Sequence, residues 1–142
     1  MEAHYRRLEQ IEMSNPSSAY YAPQMEVAEG TAVCTITIRP EFLHGGGVVH
    51  GSVYFFALDD AATFAANSVV AEGDFFMTSG FTIHFLRPAA SGIIRATGRV
   101  VNRSRRQILV DVVAEDENGR LLARGTGTFM AGRSAHNRLA TP

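Results

Sequence analysis

Residues 51–70 read GSVYFFALDDAATFAANSVV, and this stretch decides the architecture. Apolar or small residues recur on almost every side of a helical wheel. A helix over 50–70 therefore has no broad polar face and belongs in the middle of the fold. Everything after it reads as strand, over 75–86, 93–101, 107–114 and 121–129. The breaks fall at 88–92, 102–106 and 116–119, and the last carries the Asn118-Gly119 pair that favours a tight hairpin. Before the helix, 21–27 and 31–38 alternate around Glu29-Gly30 as a hairpin. Tyr5, Leu8 and Ile11 mark a short amphipathic helix that Asn15-Pro16-Ser17-Ser18 ends. Two strands, one buried helix and four strands in a meander make an α+β domain over 1–142, a curved antiparallel sheet wrapped around one long central helix. One sheet covers only one side of such a helix, so a second copy is expected on the other, as a homodimer or a dimer of dimers.

Composition narrows the function. The 142 residues are 46% hydrophobic and 19% charged with net charge −1, which is globular and argues against a nucleic-acid-binding domain, since one of this size usually carries a strongly basic face. There are 13 arginines and no lysine, so Schiff-base chemistry and a lysine phosphate loop are excluded. The single cysteine, Cys34, sits in the alternating run Ala32, Cys34, Ile36, Ile38 and reads as a small buried hydrophobe. No signal peptide and no run of about 20 apolar residues is present, so a soluble, cytoplasmic protein without membrane partners is expected.

One segment concentrates chemistry: His44, Gly45-Gly46-Gly47, His50-Gly51-Ser52, and then Asp59-Asp60 inside the helix. First-turn amides of a helix lack internal partners and carry partial positive charge, and a glycine lets a ligand approach closely. Gly51 can thus aim its N–H at a carbonyl oxygen. The spacing of the glycines fits neither a dinucleotide fingerprint nor a phosphate loop, and Gly45 to Gly47 also read as plain loop punctuation. Aspartate is a poor helix-interior residue, and a buried carboxylate needs a partner, either a backbone group, an arginine or a substrate. Adjacent helical residues point about 100° apart, so Asp59 and Asp60 are not expected to serve one site. Desolvation raises a carboxyl pKa toward the range useful to a general base. The five histidines lack the spacing of a metal site, and none is expected. Arg103, Arg105 and Arg106 share one turn, which is either a solvated hairpin tip or a receiver of phosphates.

His50-Gly51-Ser52, with Asp59 nine residues after the histidine, resembles the His-Gly-Gly…Asp signature of hotdog-fold acyl-CoA thioesterases. The nearest branch is that of the phenylacetate-pathway thioesterases and the related mammalian mitochondrial enzyme. Asn67-Ser68, Thr78, the strand end Phe85-Leu86-Arg87-Pro88, Gly92 and Asn118-Gly119 follow in register, so the resemblance covers about residues 20–132. It implies hydrolysis of an acyl-CoA across a dimer interface. The Gly51 N–H of one subunit, beside His50, polarises the thioester carbonyl. Asp59 of the other acts as base or nucleophile, and Thr78 matches the residue that places the water. Arg103 and Arg106 match basic positions near the coenzyme A phosphates. No cofactor is implied, since coenzyme A is part of the substrate. Ser52 stands where the signature has its second glycine, and His44 where the family has a loop asparagine that contacts the thioester. Tyr54, Phe55 and Phe56 suit an aromatic or medium-chain acyl pocket, or simply the core. Two other readings stay open. One is a non-catalytic domain that binds acyl-CoA or acyl-carrier protein; the other is a hotdog dehydratase.

Overall fold

The central helix, α3, runs Gly51–Asn67 in a computed structural model that describes residues 1–131. The remainder of the expected 1–142 domain lies outside the described residues. His50 caps the helix, its Nδ1 accepting the Ser52 N–H at 3.0 Å, a task more often given to Asp or Ser. The helix stops at Asn67 and does not run on to 70. Asn67 donates to the Phe76 carbonyl and accepts the Phe76 N–H at 2.7 Å, which stitches the helix end to the next strand. Ser68 turns its hydroxyl onto the Ala65 carbonyl and accepts the Gly30 N–H.

Six strands form one antiparallel sheet: β1 Gln24–Ala28, β2 Thr31–Thr37, β3 Phe76–Phe85, β4 Ile93–Arg103, β5 Gln107–Glu115 and β6 Leu121–Ala131. Alternation sends Cys34, Ile36, Ile94, Ala96, Val110 and Val112 onto α3. The helix meets the sheet through Ala57, Ala61, Ala62 and Ala65, all fully buried. Close approach explains Gly98, where a Cβ would stand 2.7 Å from the Ala61 carbonyl oxygen. Leu58, fully buried in this layer, would cost about 2–5 kcal/mol on truncation to alanine.

The strand order is β1-β2-β4-β5-β6-β3, which corrects the expected four-strand meander. Only β4, β5 and β6 follow one another; β3 crosses to the far edge and pairs with β6, Phe81 opposite Gly127. Periodicity within a strand says which residues share a face, not which strand lies alongside. A second correction concerns residues 21–23. The chain first forms a short helix, α2 (Ser18–Tyr21), closed by Ala22 in the left-handed region, and Tyr21 stacks on Phe56 with ring centroids 3.9 Å apart.

The two sheet edges differ. The N-terminal helix α1 (Glu2–Ser14) covers β1: Glu9 accepts the Val27 N–H and Arg6 donates to the Val27 carbonyl, both at 2.8 Å. The ion pair between Arg6 and Glu9, at 2.9 Å, ties the two together. On the opposite edge β3 is uncovered among the described residues, with Met77 and Phe85 more than half exposed. Among the described residues no helix is long and apolar enough to cross a membrane.

Candidate active site

The loop entering α3 is a tight hairpin. His44 N–H donates to the Val48 carbonyl, Gly47 N–H to that of His44, and Gly47 has φ +81°, which favours glycine. His44 folds back on this loop, its Nδ1 accepting the Gly46 N–H at 2.8 Å, with its ring centroid 6.4 Å from that of His50. Of the first-turn amides, Ser52 donates to the His50 ring and Val53 to the His50 carbonyl. Gly51 N–H takes no partner among the described residues, as expected of an orphan first-turn amide. A Cβ at Gly51 would stand 3.1 Å from the Phe85 ring, which would have to shift by a few tenths of an ångström to admit it. An apolar slot beside it is lined by Val48, Tyr54, Phe85 and Leu86.

The second cluster lies in the middle of α3. Asp59 Oδ1 accepts the Thr78 hydroxyl at 2.7 Å. That contact joins helix to edge strand just before the bulge between Thr78 and Gly80. Burial pushes the Asp59 carboxyl up from its ordinary value; the Thr78 hydrogen bond pulls it back, and Glu12 pushes it up again. Asp60 points to α1 instead. Its carboxyl is pushed up to about 10, first by burial and then by a hydrogen bond and repulsion from the Glu12 carboxyl. An arginine or backbone partner for Asp60 was the expectation; a second carboxyl takes that place, because α1 folds its buried stripe against this side of α3. Despite the 100° between them, Asp59 and Asp60 also line one cleft of about 260 Å³ with Glu12, Thr63, Phe75 and Thr78. The cleft is wide enough to span two adjacent helix positions.

Glu12 escaped the sequence reading. A signal was present, since Tyr5, Leu8 and Glu12 follow i, i+3, i+7 spacing and so share the stripe that α1 buries.

Not every candidate is brought together. Gly51 and Asp59 are eight residues apart on one helix, so about 12 Å apart along its axis. Arg103, Arg105 and Arg106 are exposed on the β4–β5 turn, which Ser104 and Gln107 close by hydrogen bonds. Arg103 borders a cleft with Glu29 and Ser68 at the far end of α3 from Gly51. Among the described residues none of the three makes an ion pair. Also among the described residues, no three His, Cys, Asp or Glu side chains gather as a metal ion would need.

Residues 46–123 match the thioesterase superfamily. Over 94 residues the chain is 33% identical to SSO1253 of Saccharolobus solfataricus, a protein provisionally named an esterase. That match covers 65% of this chain and 61% of the relative, so the chain spans less than two thirds of the relative's length. It is 31% identical over 96 residues to the acyl-coenzyme A thioesterase PaaI of Escherichia coli, covering 67% of this chain and 66% of PaaI. The solved structure of the E. coli PaaI protein from the phenylacetic acid degradation operon superposes with a TM-score of 0.86 at 22% identity, covering 98% of each chain. That last likeness is one of fold.

Proposed function

The chain belongs to the thioesterase superfamily and has its hotdog fold, and on that premise we propose that it hydrolyses an acyl-CoA to the carboxylic acid and free coenzyme A. The observation that carries the reading is Asp59, a half-buried carboxylate in an apolar helix, held by Thr78 at the mouth of a cleft. Thr78 occupies Oδ1, which leaves Oδ2 to take a proton from water. The water oxygen then adds to the thioester carbon, the carbon–sulfur bond breaks, and the proton held by Asp59 passes to the leaving sulfur. A carboxyl raised by burial is matched to this task near neutral pH. Negative charge developing on the carbonyl oxygen is met by the Gly51 N–H and the positive end of α3.

These two groups of one chain stand about 12 Å apart, too far to serve one carbonyl. The reading therefore takes Gly51 from one subunit and Asp59 from the other. The β3 edge, uncovered among the described residues, supports this, since a long, partly apolar edge strand is a surface that proteins ordinarily cover. Exposed Phe55, edge-on to Phe81 at 5.2 Å, extends the same apolar face. The homodimer, or a pair of such dimers, is the expected assembly. Tyr54 and Phe85 beside Gly51, with Phe75 and Met77 beside Asp59, suit an aromatic or medium-chain acyl group.

The test is a panel of acyl-CoA esters assayed for thiol release. Steady release with at least one aromatic or medium-chain ester is expected; tight binding with no release over hours would replace the enzyme with a sensor. Arg103 and Arg106 are read as phosphate contacts made alike in ground and transition states. Arg106→Ala should then raise KM for coenzyme A esters roughly 5- to 30-fold with kcat nearly unchanged. The penalty should vanish on a truncated pantetheine thioester, and equal losses on both substrates would make the turn structural.

A further inference from the structure

Asn67 is the last residue of α3 and is fully buried. Its Nδ2 donates to the Thr63 carbonyl at 2.8 Å and to the Phe76 carbonyl at 3.0 Å, and its Oδ1 accepts the Phe76 N–H at 2.7 Å. One side chain thus takes both backbone groups of a single residue of β3, as a residue of a neighbouring strand would. A carboxamide suits this because it carries donor and acceptor side by side, whereas a carboxylate only accepts. The backbone of Asn67 is tied in turn to α1, where His4 Nε2 donates to its carbonyl oxygen at 3.0 Å.

The clamp lies in line with the reacting carboxylate. Asp59, Thr63 and Asn67 are spaced by four, so they share one side of α3. Phe76 and Thr78 are two apart on β3 and share one face of that strand. This side of the helix therefore meets β3 twice, at the Phe76 backbone through Asn67 and at the Thr78 hydroxyl through Asp59, the latter at 2.7 Å. The pairing of β3 with β6 sets Thr78 opposite Phe129, and the register shifts directly after it, before Gly80. Ladder bonds run within the sheet, so the gap between β3 and the helix is set by contacts across the layers. Packing does little to set it here, since Thr78 and Met77 are both exposed.

We propose that Asn67 is a positioning residue for the reaction: by pinning Phe76 to the end of α3, it holds the Thr78 hydroxyl against Asp59. Fully buried, Asn67 does not itself touch the substrate and acts through Thr78. Slack at Phe76 passes to Thr78, two residues on, before the bulge can absorb it. This rests on the reading of Asp59 as the reacting group.

The experiment is a double-variant cycle on Asn67→Ser and Thr78→Val with an acyl-CoA ester. It reads kcat, KM and the acid limb of kcat at a temperature well below the thermal midpoints. A serine hydroxyl is too short to take both Phe76 groups, so Asn67→Ser should lower kcat about three- to tenfold, with KM changed by no more than about twofold. Its acid limb should move upward, the direction expected when Asp59 loses the Thr78 bond. With Thr78→Val already in place, adding Asn67→Ser should lower kcat by less than about twofold and leave the limb where it is, because effects that run through one contact do not add. A merely structural Asn67 would lower the midpoint in both backgrounds and leave kcat and the limb of the single variant unchanged, and that result would overturn the proposal. A full further loss of kcat on top of Thr78→Val is equally fatal. Should Asn67→Ser fail to fold, hydrogen exchange in wild type decides: the Phe76 amide should exchange as slowly as the ladder amides of β6, and exchange at the rate of an unpaired loop amide ends the idea. Asp59→Asn separates the two readings. If it stays active, the reading of Asp59 fails; if it is inactive while Asn67→Ser keeps the kcat of wild type, only the role of Asn67 fails.

Discussion

Asp59 and Asp60 are the same residue type at neighbouring positions of α3, and they face different worlds. Asp59 looks toward β3, where a threonine hydroxyl donates to it. Asp60 looks toward α1, where it meets another carboxyl. A donor stabilises an anion, so Asp59 can ionise and take up a proton from a reacting water. Burial first, and then an acceptor where Asp59 has a donor, favour the acid form of Asp60 and push its carboxyl up to about 10. Function on this helix thus follows from what the next element offers across the gap, and the residue type alone does not decide it.

The sharpest break of this comparison is substitution of each aspartate by its own amide. Asp59→Asn keeps the size and removes the base, so kcat should fall about 10²- to 10⁴-fold with the thermal midpoint near that of wild type. Asp60→Asn should lose far less. Equal losses in steady-state thiol release would mean that the two carboxyls act as one unit and the contrast is wrong.

Thr78→Val probes the β3 side. Losing a hydrogen bond to a charged group, worth about 1.5–3 kcal/mol, should lower kcat/KM tenfold or somewhat more. It should also move the acid limb of the pH profile upward, because the contact favours the Asp59 anion. A limb that moves down in Thr78→Val would reverse the assignment of the two sides.

The remaining effect is on stability and leaves catalysis nearly untouched. The folded pKa of Asp60 lies above its unfolded value, so the folded chain holds a proton that the unfolded chain releases between about pH 4 and about 10. The contribution is full below that window and is lost as pH rises through it. Asp60→Asn removes the dependence, so its stability relative to wild type should improve with pH, by at most about 1.4 kcal/mol per unit for one proton. Urea denaturation at pH 6, 7.5 and 9 measures this, and a difference that is flat across the three would show that Asp60 ionises like its neighbour.

Much of this was legible in the residues. Asp59 stood out because a carboxylate in an apolar helix needs a reason, and Gly51 because it opens that helix where amides are unpaired. Glu12 was hidden among the other acids of α1, although its spacing from Tyr5 and Leu8 placed it on the buried stripe. Asp60 was expected to find an arginine or a backbone group, since nothing in the local sequence announces a partner 48 positions away in the chain.

The sequence by itself determined the elements: the buried helix, the hairpins, the strand faces and the short list of residues with chemistry to offer. Those follow from periodicity and turn residues, which act over a few positions. Only the tertiary structure decided that β3 lies beside β6, that Thr78 reaches Asp59, and that α1 brings Glu12 to Asp60. It also spread Gly51, Asp59 and Arg103 along the length of α3. Such pairings join segments far apart in the chain, and they are chosen by which surfaces can be buried together once the whole sheet has closed on the helix.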